Sequence, residues 1–385
     1  MLNLIKEIIA HAGPRKSGTD AETKAQKFIA EKLRLYTDNV EFLPFDEYLD
    51  ARFGKIRWYV VFFFIAMALY RWLPMAAALL ACANALVLLL DMGMYRDILT
   101  TIPGKKGTSS NTTAVLEPQG EVKSTLIFSA HMDSTPEFTW WYRFGHFGVV
   151  LTVVAMLLML VQAIFFTVHA FNNGAYDIYG WWALLAISPL TIVMWTMLGE
   201  EVVQGAQDNL SGIAISYEIF KTLADPNQRG KSVLKNTRIR FLSFGSEEKG
   251  LMGSRYYAQS RKEELHKENA HLINIDNVRQ ASQLTIIGRE LLSGIVHSPV
   301  IIKKLQESFD ANSIKYKMGM APIGGSDAQS FAKVGIPSIT VIGMDSDKHD
   351  FTYHTRHDVP ENIEPEALEH LKVVMLDFAK KWDAK

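Results

Sequence analysis

The chain has one cysteine, Cys82, among 385 residues. A disulfide framework and a cysteine-based zinc site are both excluded, and the count fits a reducing compartment. Charge excess is also missing: 40 lysines and arginines stand against 41 aspartates and glutamates. With no basic, aromatic-laced tract either, nucleic acid is not an expected partner. The opening MLNLIKEIIAHAGPRKSGT lacks the continuous apolar core and small-residue cleavage site of a secretory signal. Leu2, Ile5, Ile8 and Ile9 are spaced helically, so it reads as an amphipathic helix of the mature protein.

What the chain has in plenty is apolar sequence, 48 % of its residues. Four runs stand out: residues 56–73, 75–90, 147–171 and 180–198. Each is about as long as a bilayer core requires. They come as two pairs, with Trp58, Tyr70, Trp72, Trp181 and Trp182 near their ends like an interfacial aromatic belt. A soluble helix would show a polar face, and the last three runs show almost none. Arg57 and Arg71 make the first run weaker, and Pro189 in the fourth is tolerable in a membrane. The reading is two transmembrane hairpins, 56–92 and 146–198, in a multi-pass protein of the cell membrane. Both return the chain to the side it left. Basic residues flank that side (Arg52, Lys55, Arg57, Arg96, Lys105, Lys106, Arg143), whereas the tips carry Arg71 alone and none in FNNGAYD. That bias predicts a cytoplasmic polar domain. The runs named carry no carboxylate or lysine, which argues against a transporter.

The remaining segments, 1–55, 93–145 and 199–385, read as one discontinuous α/β domain. Strands are expected at 39–45 (an edge strand, given Pro44), 112–116, 124–129, 238–244, 272–275, 284–287 and 337–342. Helices are expected at 21–35, 208–223, 251–259, 296–310 and 365–382. Their alternation argues a layered α/β architecture.

Five places carry candidate chemistry. They are SAHMDS with His131 and Asp133, GAQDNLSG with Asp208, SFGSEEKGLMGS with Glu247 and Glu248, INIDNV with Asp276, and YHTRHDVPENI with His354. Each has an ordinary use: a surface dipeptide, a helix cap for Asp208, a solvated Glu-Glu pair, a turn at Asp276, a polar loop at His354. Four of the five lie at strand ends, where open α/β sheets gather ligands. Histidines and carboxylates are also what a pair of zinc ions takes when thiolates are missing. One further carboxylate is then needed to carry a proton. Those six roles fall to His131, Asp208, Glu247, Glu248, Asp276 and His354, leaving Asp133 to orient the His131 imidazole.

With GPRKSGT and GGSDAQSF added, these motifs resemble metallopeptidase family 28, the co-catalytic zinc exopeptidases, over roughly residues 1–50, 108–137 and 200–382. The family holds aminopeptidases, glutamate carboxypeptidases and glutaminyl cyclases. The resemblance implies a three-layer fold with a mixed central β-sheet, here interrupted by the two hairpins. It implies one zinc on His131, Asp208 and Asp276 and a second on Asp208, Glu248 and His354, with Asp208 bridging. It implies Glu247 as general base and then acid, Asp133 behind His131, and Gly324, Gly325, Ser326 and Asp327 along the substrate cleft. In relatives the bond after the bridging Asp tends to be cis. The implied activity is an aminopeptidase acting on peptides. The alternatives are a carboxypeptidase, a cyclase, or a non-catalytic membrane receptor or scaffold, a class that usually loses ligands. NIDNV departs from the aminopeptidase pattern by lacking a following Met-Gly, and the 75 positions from Asp133 to Asp208 hold the second hairpin.

Overall fold

The computed structural model describes residues 1–49, 52–96, 98, 104–172, 178–322, 324–345 and 350–384. Most of the second hairpin tip, 173–177, lies outside them. The chain divides into two compact units, Met1–Glu47, Lys106–Pro136 and Glu201–Lys385 in one, and Tyr48–Lys105 and Glu137–Glu200 in the other.

The strands, in chain order, are β1 (Val40–Tyr48), β2 (Lys106–Leu116), β3 (Ser124–His131), β4 (Pro136–Phe138), β5 (Leu198–Val202), β6 (Thr237–Phe244), β7 (Ala270–Val278), β8 (Thr285–Glu290), β9 (Ile295–Val296), β10 (Lys317–Ala321) and β11 (Ser338–Gly343). β4 and β5 pair with each other, while the rest form one sheet in the order β1-β2-β6-β3-β7-β11-β8-β10, with β9 on β8. The sheet is mixed: β3, β6, β7 and β11 run parallel, whereas β2 against β6 and β8 against β11 are antiparallel. β1 is at the edge, where Pro44, which has no N–H to give a ladder, is tolerated.

The central strands are apolar on both faces because helices cover both. In β6, Ile239 and Phe241 join the larger core with helices Asp20–Leu33, Ser211–Leu223 and Pro365–Asp383, while Leu242 and Phe244 join a smaller one with Tyr257, Ala328 and Phe331. The period-two alternation of a strand thus feeds two cores at once. Helices Leu2–Ala12 and Pro365–Asp383 form as their spacing predicts. The helix expected from residue 208 begins only at Ser211.

The second unit is helical. Among the described residues, three of its helices are long and apolar enough to cross a membrane: Pro74–Gly93, His146–Phe171 and Ile178–Trp195, the last narrowing to a 3-10 turn at Ser188–Thr191 around Pro189. The first run differs from expectation. Its helix, Ile56–Leu69, has 14 residues, or about 21 Å at 1.5 Å per residue, short of a core of about 30 Å. Pro74 starts the next helix and holds Leu73 out of helical geometry, which cuts the run. The second run continues past residue 90, so it does contain a buried carboxylate, Asp91, which accepts a bond from Tyr59 Oη (3.0 Å). Asn84 and Gln162 donate to the carbonyls of Tyr59 (3.0 Å) and Phe63 (2.8 Å), tying the helices by polar contacts. Outward positions stay apolar, with Leu79, Ile164 and Phe171 exposed.

Candidate metal centre

The parallel strands deliver their carboxyl ends to one edge of the sheet. β3 ends on His131, β6 is followed by Glu247 and Glu248, β7 carries Asp276, and the chain beyond β11 reaches His354. Asp208 comes from the turn ahead of helix Ser211–Leu223, where its backbone is non-helical and its bond to Asn209 is cis. It does not cap that helix. Its two oxygens face two imidazoles instead: Oδ1 lies 2.9 Å from His131 Nε2, and Oδ2 lies 3.1 Å from His354 Nε2.

Two triads result. Donor atoms of His131, Asp208 and Asp276 lie within 4.8 Å of one another, and so do those of Asp208, Glu248 and His354. All five residues are buried. Glu247 stands outside both triads, with Oε2 4.0 Å from His131 Nε2. His131 Nδ1 lies 3.2 Å from the Asp133 carbonyl and 3.4 Å from its carboxylate. A proton held on Nδ1 for those oxygens leaves the Nε2 lone pair facing the site. The Asp133 carboxylate is chiefly engaged elsewhere, accepting from Ser17 Oγ (2.6 Å) and from the N–H groups of Glu247 and Glu248 (3.0 and 3.1 Å).

The electrostatics call for a cation. Burial pushes Glu247 and Glu248 well above the usual carboxylate range, and neighbouring carboxylates add to it. Burial also raises Asp276, against the pull of His131. Burial draws His131 down, but Glu247, Asp133, Asp208 and Asp276 around it outweigh that and raise it well above its ordinary value. Glu248 Oε1 is buried and makes no hydrogen bond among the described residues. Buried carboxylates this crowded are paired or hold metal, and the donor set of two imidazoles and three carboxylates is one that zinc accepts. The residues present therefore fit two divalent ions sharing Asp208.

Gly324 and Gly325 are half-buried on the loop after β10, and Ser326 and Asp327, the N-cap and first residue of helix Asp327–Lys333, are buried. Ser326 Oγ donates to Glu290 Oε1 (2.5 Å). Burial pushes Asp327 up to about 7, with His131 opposing and Asp276 and Asp133 adding to the rise.

Apart from Asp133, the residues that hold the ligands were not singled out from sequence. Asp358, four positions after His354, accepts the N–H groups of Gln207 (2.5 Å) and Asp208 (3.1 Å). Arg15 is fully buried and donates from Nε to the Met132 carbonyl (2.8 Å) and from Nη2 to the Gly205 carbonyl (3.0 Å), joining the His131 and Asp208 segments. Their only signal was a place inside quoted motifs, GPRKSGT and YHTRHDVPENI.

Comparison with known proteins bears on the fold and on the family. Aminopeptidase YwaD of Bacillus subtilis (strain 168) is 31 % identical over 171 residues, covering 43 % of this chain and 35 % of that protein. The match thus spans about a third of that relative's length. The structure of a zinc aminopeptidase from Bacillus subtilis superposes with a TM-score of 0.60 at 16 % identity, covering 99 % of this chain and 94 % of that one. A glutaminyl cyclase from an Acidobacteriales bacterium gives 0.57 at 13 % identity, covering 100 % and 93 %. At such identities these likenesses establish the fold: a mixed sheet between helical layers, as in zinc aminopeptidases. The sequence matches the profile of peptidase family M28 over residues 111–379, and the chain belongs to that family.

Proposed function

We propose that this protein is a zinc-dependent aminopeptidase that removes N-terminal residues from peptides, anchored in a membrane with its catalytic unit in the cytoplasm. The observation that carries the reading is Asp208, whose two oxygens each face the histidine of a different triad. A non-catalytic relative has no need of both triads, and none of the six positions is lost. The domain reading follows: 1–55, 93–145 and 199–385 for catalysis, and the hairpins 56–92 and 146–198 for anchorage. Three apolar helices with outward-facing leucines, isoleucines and phenylalanines support the anchorage.

His131, Asp208 and Asp276 would hold one zinc, and Asp208, Glu248 and His354 the other. Bound there, the two ions would polarise the peptide carbonyl and lower the pKa of water to near neutrality. Glu247, outside both triads yet within 4.0 Å of His131, takes the proton from the attacking water and returns it to the departing amine. Asp133 holds the backbone of Glu247 and Glu248 while it faces His131. The Gly324–Gly325–Ser326–Asp327 loop lines the cleft and orients the peptide.

The test is digestion of a peptide library by detergent-purified protein, with the termini free or blocked. Release of single N-terminal residues, prevented by N-terminal blocking, is expected. Sensitivity to blocking of the C-terminus instead would make the protein a carboxypeptidase. A loss of ammonia from N-terminal Gln would make it a cyclase, the activity named for one of its structural neighbours.

A further inference from the structure

Four consecutive backbone N–H groups carry the loop that bears Glu247 and Glu248, and each donates to a buried side chain from elsewhere in the chain. Gly245 donates to Asn111 Oδ1 (3.0 Å), Ser246 to Glu22 Oε1 (2.8 Å), Glu247 to Asp133 Oδ1 (3.0 Å) and Glu248 to Asp133 Oδ2 (3.1 Å). Asn111 and Asp133 lie on or next to strands that flank β6. Glu22 does not: it comes from the first turn of helix Asp20–Leu33, more than two hundred residues earlier.

Glu22 is completely buried. Its Oε2 accepts the N–H of Gly18 (2.7 Å), and Ser109 Oγ lies 2.9 Å from both oxygens. The site is built around it. A Cβ on Gly245 would fall 2.7 Å from Glu22 Oε1 and 2.3 Å from Ser109 Oγ, so only glycine leaves room for this carboxylate. The group that Glu22 grips, Ser246, has φ of +52°, a left-handed conformation that a residue with a Cβ adopts reluctantly. Rotation at Ser246 would redirect both side chains that follow it.

We propose that Glu22 is a positioning residue for this dicarboxylate loop: by holding the Ser246 N–H it fixes the left-handed turn that aims Glu247 at the reacting water and Glu248 at its metal. It touches neither. The inference rests on the proton-carrying role given above to Glu247. A narrower role, closing the turn from Gly18 to Glu22 through the Gly18 N–H alone, would leave the loop unaffected.

Glu22→Gln separates the two. It keeps the shape, but each carboxylate oxygen now accepts a different backbone N–H, and an amide has one acceptor oxygen. Its NH2 must therefore meet Gly18 or Ser246 donor to donor; Glu22→Ala, which leaves neither N–H its acceptor, completes the separation by covering the case in which the amide oxygen stays on Ser246. Hydrogen exchange read by mass spectrometry on wild type and both variants is expected to show faster exchange in 245–248, most in Glu22→Ala, and unchanged exchange in β6. Kinetics at equal zinc content are expected to show kcat lower by about 10- to 100-fold, the scale of a small misplacement, with KM within about twofold. Ser246→Gly in the Glu22→Gln background lowers the cost of the left-handed turn and is expected to recover several-fold of kcat. Unchanged exchange in 245–248, or unchanged kcat, in both Glu22→Gln and Glu22→Ala overturns the proposal, as does a second-site glycine that restores nothing. A wild-type protein that releases no amino acid would sink the aminopeptidase reading alone, because the exchange comparison needs no turnover.

Discussion

Glu247 is the residue whose role is most separable from metal binding. It sits outside both triads, so Glu247→Gln is expected to cut kcat by about 10²–10⁴-fold while zinc content, read by atomic absorption, matches wild type. Surviving turnover would reassign the proton carrier. Asp358 makes the complementary case. It accepts two N–H groups at the turn that presents Asp208, so Asp358→Asn, which can satisfy one of them with its single oxygen, is expected to weaken zinc retention in dialysis about 10- to 100-fold. These two residues mark what the sequence made legible. Ligands and base stood in short motifs at strand ends, where the residue type itself announces chemistry. Asp358, Arg15 and Glu22 bond to backbone N–H and carbonyl groups, which all residues but proline carry alike, so no pattern in the side chains points to their partners.

The central strands and flanking helices were legible because their apolar spacing follows one period throughout. β10, Lys317–Ala321, was not: its KMGMA reads as neither an alternating strand nor a helix, and it is held at the sheet edge by pairing with β8. Residues 56–73 looked long enough to span a membrane because composition does not show where a helix stops; Pro74 and the turn before it do. The closing helix, Pro365–Asp383, offers a test by pH. Asp383 accepts the N–H groups of Lys235 and Asn236 at 2.7 Å each. Burial would raise its carboxyl, but those donors prevail and hold it below its ordinary value of 3.8. A carboxyl lowered in the folded state contributes stability that is present above its unfolded pKa and is lost as pH falls through the folded one. Wild type is therefore expected to lose thermal stability below about pH 4 more steeply than Asp383→Asn. Parallel melting curves for the two would show that these bonds do not persist in solution.

At the scale of the whole molecule, one chain carries a peptidase unit and an apolar helical unit. The proposed anchorage predicts that the protein stays with the membrane pellet after alkaline carbonate extraction and that detergent releases it. Recovery in the carbonate supernatant would make the three apolar helices a soluble bundle. The proposed sidedness rests on the basic residues near the helix ends, and under it protease added outside intact cells is expected to spare the catalytic unit.

Zinc counted per chain in detergent-purified protein, for wild type beside Asp208→Asn, addresses the shared-carboxylate centre most directly. Two ions in wild type and fewer than one in the variant are predicted, since Asp208 belongs to both triads. One ion or none in an active wild type, or two ions retained without the Asp208 carboxylate, would contradict it.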